Sequence, residues 1–305
     1  MNKIIYYIDV LLAHNVSEEF TYKHETIEKP RVGMIVLAPL RSGEKIGVIT
    51  KVNSVLNDSK IKLKFIKEIS PEYRLNSKMI KFLNWVSNYN LIDRGLVLKM
   101  ILSHSKFYFK KKKTKELTSN IKKNVKAIKL SLEQKRASQD ILKIFQQRNF
   151  KPVLLDGVPG SGKTEVYFDV IKKFIKDGEQ VLIMFPEVSL TGDFVNRIEE
   201  RFGFSPVVWH SKISTAYKTK ALKSIIDGTS QIIIGARSSL FLPYKNLSMI
   251  VLDEEHDSSY KQEEQGIYHA RDMSVVKSSI EDIPIILASA TPSLETIFNV
   301  MNKKY

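Results

Sequence analysis

The sequence GVPGSGKT occupies residues 157–164 and satisfies the pattern GxxxxGK[ST]. It follows the apolar run VLLDG (153–157) and opens a segment with helical spacing, SGKTEVYFDVIKKFIKDG (161–178). A phosphate-binding loop requires this order of strand, loop and helix. The pattern therefore predicts a P-loop NTPase, and a glycine-rich turn before an ordinary helix is the alternative interpretation.

The members of this loop have expected roles in nucleotide binding. Backbone N–H groups at Gly157, Gly160 and Gly162 can close on phosphate oxygens because no Cβ intervenes. We expect Lys163 to reach the β and γ phosphates and the Thr164 hydroxyl to ligate Mg²⁺. The other predicted ATP-binding positions of the loop are Val158, Pro159 and Ser161.

Outward from the loop, residues 131–305 alternate apolar runs with helical segments. The further runs are VLIMFP (181–186), VVWH (207–210), QIIIGA (231–236), MIVLDE (249–254) and IPIILASA (283–290). Continuous apolar runs without strict alternation are typical of a parallel sheet covered by helices on both faces. The helices 161–178 and 191–203 are predicted to stop at Gly178 and Gly203. The sequence thus predicts an α/β fold for this half.

The acidic stretch VLDEEHD (251–257) has three possible explanations: a hydrolytic metal site, the Mg²⁺-holding end of an ATPase strand, or an acidic loop. A P-loop enzyme needs a second strand that ends in an acid near the phosphates, which favours the second explanation. Asp253 would then hold Mg²⁺, and Glu254 would polarise the attacking water. The sequence contains no HExxH motif, which disfavours a zinc hydrolase.

Other motifs in the sequence indicate which class of P-loop enzymes this chain resembles. Neither the Asn-Lys-x-Asp of GTPases nor the Leu-Ser-Gly-Gly-Gln of transporter ATPases occurs. Instead DEEH (253–256) is followed by SAT (289–291), the pairing expected of a nucleic-acid motor. Ser289 and Thr291 can bond to the acidic cluster and link nucleotide state to DNA grip. We expect Glu255 and His256 to face outward, toward the SAT element and the loop that starts at Ser258. The pattern predicts the first RecA-like domain of a superfamily 2 helicase.

The first hundred residues have a different texture. The runs GMIVLAP (33–39) and KIGVITKV (45–52) flank a hairpin-type turn, RSGE (41–44), in which Gly43 is available for positive φ. Residues 76–90 place apolar side chains at helical spacing behind a cap at Asn76 or Ser77. A small, mostly β unit closed by one helix is therefore predicted for residues 1–103.

Charge is distributed unevenly along the chain. The net charge is +15, and residues 1–150 hold 30 Lys/Arg against 13 Asp/Glu, or +17. This asymmetry favours a polyanionic partner such as DNA, and a Lys-rich genome bias is the alternative. Residues 104–130 hold ten lysines and one acid, which predicts an extended linker that either contacts phosphates or only adds solubility.

The sequence has neither a long apolar run nor a cysteine. No run approaches 18 apolar residues, so we expect no contact with a membrane. The chain has no cysteine, which suits a reducing cytoplasm and excludes a thiolate zinc site.

Several stretches resemble the PriA-type primosomal helicase family, which restarts stalled replication forks. They are GVPGSGKTEVY (157–167), PEVSLT (186–191), HS (210–211), IIIGARSSLF (232–241), VLDEEHDSSYKQEEQGIYHARD (251–272) and IPIILASATPSLET (283–296). Residues 33–50 resemble that family's 3′-end-binding domain. The resemblance implies an ATP-dependent DNA helicase that uses ATP and Mg²⁺, binds forked or single-stranded DNA and meets other primosome proteins. It assigns residues 1–103 to end binding, 104–130 to a linker and 131–305 to the first motor domain.

The resemblance also implies roles for individual residues. Gln134 falls where the family reads adenine, although the bare sequence there also suits a helix start. Phe20 and Tyr22 match positions that frame a pocket for the 3′-terminal nucleotide, and Thr21 stands where the family often has an acid. For DNA contact or coupling, the resemblance implies Pro186, Glu187, Arg237 and Ser238 at strand ends, and the aromatic-rich segment with Tyr260, Lys261, Tyr268 and His269. The alternatives are capping, turn or packing roles.

Three features depart from the family pattern. Residues 104–130 are too few for the usual winged-helix module, and the zinc-binding cysteines are absent. The chain ends at Tyr305, before a second motor domain and its arginine finger. We therefore expect an N-terminal portion or truncated form that hydrolyses ATP poorly by itself. The alternative function is a fork-binding module that recruits primosome proteins without motor activity.

Overall fold

The computed structural model describes residues 3–41, 43–53, 62–104, 107–109, 125, 128–176, 178–186, 192–264 and 266–305. The chain divides into two compact units, Met1–Lys113 and Thr114–Tyr305. Most of the predicted linker lies outside the described residues, and so does most of the PEVSLT stretch, including Glu187. None of the helices within the described ranges is long and apolar enough to cross a membrane.

The first unit is built on a five-stranded antiparallel sheet. Its strands are β1 (Ile4–Leu12), β2 (Glu19–Thr26), β3 (Met34–Leu40), β4 (Gly43–Asn53) and β5 (Glu68–Arg74). They lie in the order β2-β1-β4-β3-β5. Ile8, Val10 and Leu12 are fully buried at alternate positions of β1, as expected for a strand with one face on a core.

The hairpin between β3 and β4 differs in detail from the prediction. Leu40 pairs directly with Gly43, so the loop residues are 41 and 42 and Gly43 already belongs to the strand. The residue with positive φ is Arg41, at 50°, and not Gly43.

Two helices follow this sheet, where the sequence predicted one: α1 (Ser77–Asn90) and α2 (Arg94–Ile101). The predicted cap of α1 is confirmed, because the Asn76 side chain accepts a hydrogen bond from the Met79 amide at 2.7 Å. Helix α2 begins against the end of β1 through Gly95, whose amide donates to Val16 O at 2.8 Å. A Cβ at Gly95 would lie 2.1 Å from His14 O, so this close approach requires glycine.

The second unit contains a six-stranded parallel sheet, which confirms the predicted fold class. Its strands are β6 (Pro152–Asp156), β7 (Gln180–Met184), β8 (Val207–Trp209), β9 (Ile232–Gly235), β10 (Leu247–Leu252) and β13 (Ile285–Ser289). The strand order is β6-β13-β10-β7-β9-β8. A separate antiparallel pair consists of β11 (Lys261–Gln262) and β12 (Tyr268–His269).

Within the described residues, six helices accompany this sheet. They are α3 (Leu132–Ile144), α4 (Lys163–Phe174), α5 (Gly192–Phe202), α6 (Thr215–Asp227), α7 (Ala270–Glu281) and α8 (Leu294–Met301). The strands of the sheet centre are buried along their whole length, as β7 and β13 show. Burial on both faces accounts for the continuous apolar runs in the sequence.

Helix α4 ends earlier than predicted, at Phe174 and not at Gly178. Ile175 is extended, with ψ of 134°, and Arg148 donates to the Phe174 carbonyl that the helix leaves open. Arg148 also pairs with Glu179 at 2.5 Å, so the chain beyond the helix is held by an ion pair. Helix α5 does end where predicted, with Gly203 at φ 82° after it.

Candidate nucleotide-binding site

The three predicted motor motifs follow neighbouring strands. The chain leaves β6 at Gly157, β10 at Asp253 and β13 at Ser289, and β13 lies between the other two. Backbone hydrogen bonds continue beyond the strand ends, from Gly157 N to Ser289 O at 3.2 Å and from Glu255 N to Ala288 O at 3.1 Å. Carboxyl ends of parallel strands are the usual place for a ligand in an open α/β sheet.

The loop 157–164 has the conformation of a phosphate cradle. Gly160 and Gly162 have φ of 77° and 82°, which side chains rarely adopt. Helix α4 begins directly at Lys163, so its N-terminal amides point toward the loop. The Lys163 ammonium donates to Gly157 O at 2.8 Å and is thereby held at the loop itself. Backbone amides, a helix N-terminus and a lysine together suit a bound phosphate chain.

Gln134 starts a helix, as one reading of its sequence suggested, and its side chain also contacts the phosphate-binding loop. It belongs to a capping box that starts α3, with its Oε1 accepting from Ser131 N at 2.9 Å. Its Nε2 donates to Ser161 O at 2.9 Å, which places the amide against the phosphate-binding loop. A Cβ at Gly162 would lie only 2.4 Å from this Nε2, so the contact also depends on a glycine.

Asp253 is the buried acid of the site. Only 7% of it is exposed, and burial raises the pKa of its carboxyl above the usual value. Tyr167 Oη donates to Asp253 Oδ2 at 2.9 Å, and Tyr260 Oη donates to the Asp253 backbone oxygen at 2.7 Å. Neither tyrosine was predicted to hold this acid. In the sequence, Tyr167 reads as one more large residue on the buried face of α4. Only its place three residues after Thr164 could have pointed to a role in the site.

Glu254 lies in a different environment from its neighbour. Its side chain is 43% exposed, and its backbone has φ of 47°, a left-handed conformation that is strained for a residue with a Cβ. The turn sends Asp253 inward and Glu254 toward solvent. A buried carboxylate suits metal binding, and an accessible one suits contact with a water molecule.

The SAT segment contacts the acidic stretch through the histidine. His256 Nδ1 lies 2.7 Å from Ser289 Oγ, and Thr291 N donates to the same oxygen at 3.1 Å. Ser289 is fully buried, whereas the Thr291 residue is exposed. The predicted link between the two motifs is therefore present, with His256 in place of a carboxylate as the partner of Ser289.

The prediction that Glu255 faces outward is wrong. Glu255 is fully buried, and its carboxylate accepts hydrogen bonds from Ser293 N at 2.7 Å and Thr296 Oγ1 at 3.0 Å. Arg271 Nη1 lies 3.5 Å from Glu255 Oε2 and is almost as deeply buried. The turn at Glu254 reverses the side-chain direction, so Glu255 fastens the start of α8 and does not meet solvent.

We expect Glu255→Ala to lower the free energy of unfolding by about 3 kcal/mol, because it leaves the buried Arg271 charge without this partner. Urea denaturation followed by circular dichroism measures the change. Glu263→Ala is the matched control: its side chain is 73% exposed, and its loss should change stability by less than about 0.5 kcal/mol. Equal stability of the two variants would contradict the assigned role of Glu255.

In the segment from Ser258 to His269, the structure favours the packing alternative for the two tyrosines. Tyr260 is fully buried and Tyr268 is 5% exposed, so neither ring is open to a DNA base in this structure. Both rings pack inward because the two-stranded pair β11–β12 folds the segment back on the domain. Lys261 remains 54% exposed, and its carbonyl accepts from Arg237 Nη1.

The other predicted DNA-contacting residues have mixed environments. Arg237 lines a cavity of about 420 Å³ together with Lys261 and Ser259, and Ser238 is exposed beside it. Pro186 is buried just after β7. The His269 side chain accepts from Arg271 N at 3.3 Å as the cap of α7, and burial lowers its pKa. The basic and exposed members of this group remain available to a phosphate.

In the first unit, Phe20 and Tyr22 occupy different environments. Tyr22 belongs to the core, and its hydroxyl donates to Pro39 O at 3.0 Å. Phe20 lines a cavity of about 510 Å³ that also includes Arg41 and Lys45. Thr21 donates to Asp9 Oδ1 at 2.7 Å. The cavity thus combines one aromatic ring with two cationic side chains.

Comparison with known proteins identifies both parts of the chain. Residues 131–300 match the DEAD/DEAH box helicase family, which is more than half of the chain. The chain belongs to the DEAD/DEAH box helicase family. Residues 9–103 match a 3′ DNA-binding domain described for PriA. The structure therefore places the helicase-family motifs on its parallel sheet.

The curated relatives of this chain confirm the resemblance to PriA. Replication restart protein PriA of Rickettsia felis is 39% identical over 275 residues, which cover 90% of this chain and 41% of the relative. The Bacillus subtilis protein of the same name is 41% identical over 57% of this chain and 22% of its own length. The chain thus spans about two fifths of the Rickettsia relative.

One solved structure, of the ATP-dependent Type ISP restriction-modification enzyme LlaBIII bound to DNA, aligns with a TM-score of 0.40. It is 17% identical and covers 55% of this helicase-family chain and 13% of the other. That likeness is too weak to support any inference.

The helicase fold implies use of a nucleotide, and the residues of the site also suit Mg²⁺. In the part of the chain that the structure describes, no three acidic or histidine side chains are grouped to hold a metal ion. Thr164 and Asp253 supply one hydroxyl and one carboxylate, both oxygen ligands. Mg²⁺ commonly binds one or two protein groups together with phosphates and water, and this pair meets that need.

Proposed function

We propose that this chain is the nucleotide-binding and DNA-end-binding part of an ATP-dependent DNA helicase of PriA type, acting in replication restart in the cytoplasm. One observation carries the proposal: the phosphate-binding loop, the DEEH acids and the SAT segment follow three adjacent strands of one sheet. Residues 131–305 would be the motor domain and residues 1–103 the end-binding domain, joined by residues 104–130.

In this proposal each residue of the nucleotide site has a distinct task. Lys163 binds the β and γ phosphates, which the position of its ammonium at the loop supports. Thr164 and Asp253 hold Mg²⁺, which would neutralise phosphate charge when bound. The exposed Glu254 orients and polarises the attacking water. Gln134, fixed against Ser161 O, is the candidate for adenine recognition.

The His256–Ser289 contact is the proposed connection between nucleotide and DNA. His256 lies beside the Glu254 carboxylate, 3.7 Å away, and also touches Ser289. A change at the γ-phosphate that moves Glu254 would therefore reach the SAT segment in one step. Arg237, Ser238 and Lys261 are the proposed DNA contacts of the motor domain, because they are the polar and exposed members of the predicted set.

The cavity beside Phe20 is the proposed site for a DNA end. An aromatic ring can stack on a base, and cationic side chains can hold its phosphate. The cavity of about 510 Å³ contains both kinds of group, in Phe20, Arg41 and Lys45. The positive charge of residues 1–150 supports the same conclusion.

Binding of forked DNA to the full chain should fall steeply with salt. Four phosphate contacts would give a slope of about −3 in log affinity against log salt concentration, since each contributes about −0.7 to −0.9. We expect Lys45→Ala to make this slope less steep by about one contact. Fluorescence anisotropy of a labelled fork, between low and moderate salt, measures both quantities.

Lys99→Ala is the matched control for this experiment, because Lys99 is an exposed lysine on α2 of the same unit and does not line the cavity. Its slope should equal that of the wild type. Absence of fork binding by the wild type at low salt would sink the DNA-binding proposal. Equal slopes for both variants would remove Lys45 from the interface.

A further inference from the structure

Tyr167 occupies an unusual position for a large polar side chain. It is fully buried on α4, three residues after the proposed Mg²⁺ ligand Thr164 and four after Lys163. Residues three and four apart lie on the same face of a helix, so the Tyr167 ring stands next to the start of α4. Phenylalanine would fill this space equally well. The hydroxyl is therefore the informative part of the side chain.

That hydroxyl interacts with both proposed Mg²⁺ ligands. It donates to Asp253 Oδ2 at 2.9 Å. Burial, with the added effect of the Asp253 charge, raises the pKa of the Tyr167 hydroxyl well above its usual value, and a hydrogen bond with the Thr164 side chain opposes this rise. Thr164 and Asp253 come from different elements, α4 and the end of β10. Tyr167 is the side chain that joins them.

The direction of these hydrogen bonds suits metal binding. A threonine that ligates Mg²⁺ uses an oxygen lone pair, and its own proton then needs an acceptor. Tyr167 Oη donates its own O–H to Asp253 Oδ2 at 2.9 Å, so its lone pairs are left to accept that proton. Glu254 N donates to the other carboxylate oxygen at 3.0 Å, so both oxygens of Asp253 are fixed in place. Partners of this kind orient the ligands that touch the metal.

We propose that Tyr167 is a positioning residue for the Mg²⁺–nucleotide complex, aligning the Thr164 hydroxyl with the Asp253 carboxylate. This inference rests on the proposed function of the site. A positioning role differs from a packing role in one respect: the Tyr167 hydroxyl matters to nucleotide binding only when Mg²⁺ is present. Nucleotide bound without the metal contacts the loop amides and Lys163, none of which needs Tyr167.

The test is Tyr167→Phe in the full chain. Binding of a fluorescent ADP analogue is measured by titration, once with Mg²⁺ and once with EDTA. We expect Kd with Mg²⁺ to rise about 10–100-fold, the usual cost of losing a partner of a metal ligand, and Kd in EDTA to stay within about twofold. Competition with Mn²⁺, followed by electron paramagnetic resonance, should show the same loss of metal affinity at saturating ADP.

Tyr244→Phe is the matched control, because Tyr244 is also buried and donates its hydroxyl to a backbone oxygen, Ser239 O, at 2.8 Å. It should bind ADP like the wild type with and without Mg²⁺. Tyr167→Met, which also removes the hydroxyl and keeps an apolar side chain, gives a second route if Tyr167→Phe does not fold. It should show the same selective loss.

The results separate two failures. A wild-type chain that binds no ADP in the presence of Mg²⁺ would overturn the proposed function. The other failure concerns Tyr167 alone. If the wild type binds Mg²⁺–ADP, and Tyr167→Phe has an affinity that is unchanged, or reduced equally with Mg²⁺ and with EDTA, only the role of Tyr167 is overturned.

Discussion

Replacing Lys163 by alanine should lower the rate of DNA-stimulated ATP hydrolysis by about 10²–10³-fold, the usual cost of removing one donor to a developing oxyanion. The ammonium of Lys163 lies at the phosphate-binding loop, where it can meet charge on the β and γ phosphates. Nucleotide affinity should fall as well, because Lys163 contacts bound nucleotide in the ground state. The rate of ATP hydrolysis is measured as phosphate release, with and without single-stranded DNA.

Lys172→Ala serves as the control for Lys163→Ala. Lys172 lies on the same helix, α4, but is exposed on its far part, so it removes an equal charge without touching the loop. Its hydrolysis rate should match the wild type. The assigned role of Lys163 would be refuted by a Lys163→Ala variant that keeps its DNA-stimulated rate within about threefold.

Glu254→Gln should show a different profile. We expect it to slow hydrolysis by about 10²–10⁴-fold, in the range that positioned acids and bases contribute, while ADP affinity stays within about threefold. Glutamine retains the size of glutamate and adds no strain at φ 47°, so the fold should be unchanged. Single-turnover hydrolysis and ADP titration on the same samples separate the chemical step from binding.

Asp227→Asn is a matched carboxylate-to-amide change at the exposed end of α6. It should leave both rate and affinity unchanged. If Glu254→Gln lost nucleotide binding together with hydrolysis, Glu254 would have to be reassigned from the water to the nucleotide. The contrast with Lys163→Ala, which loses both, makes the two assignments independent.

Local patterns in the sequence predicted most of the second unit. The apolar runs that end at Asp156, Leu252 and Ser289 are the strands β6, β10 and β13, because burial on both faces imposes an apolar side chain at nearly every position. The glycines of the loop 157–164 carry the conformations that the motif requires. Both features depend on neighbours within a few residues, which is why they can be recognised without the fold.

The errors come from contacts that are distant in sequence. Glu255 was expected to face outward, toward the SAT element, yet it is fully buried against Ser293 and Thr296 just beyond that element. Tyr260 was expected to contact DNA or couple to it, yet its ring is buried and its hydroxyl donates to the Asp253 backbone oxygen. For Glu255, the preceding residue Glu254 has the left-handed conformation that turns the side chain inward. Sequence periodicity carries no information about such a turn.

The strand order also constrains how the domain is made. Strand β6, which leads into the nucleotide loop, lies at the edge of the sheet, and among the described strands its sole neighbour is β13. During synthesis the ribosome makes β6 first and β13 more than a hundred residues later, so β6 has no pairing partner while the intervening chain emerges. Domains fold as units and unpaired edges invite misassociation in that interval. We therefore expect the nucleotide loop to acquire its supported geometry only late in the sheet's formation, and nucleotide binding to follow it in the maturation of this domain.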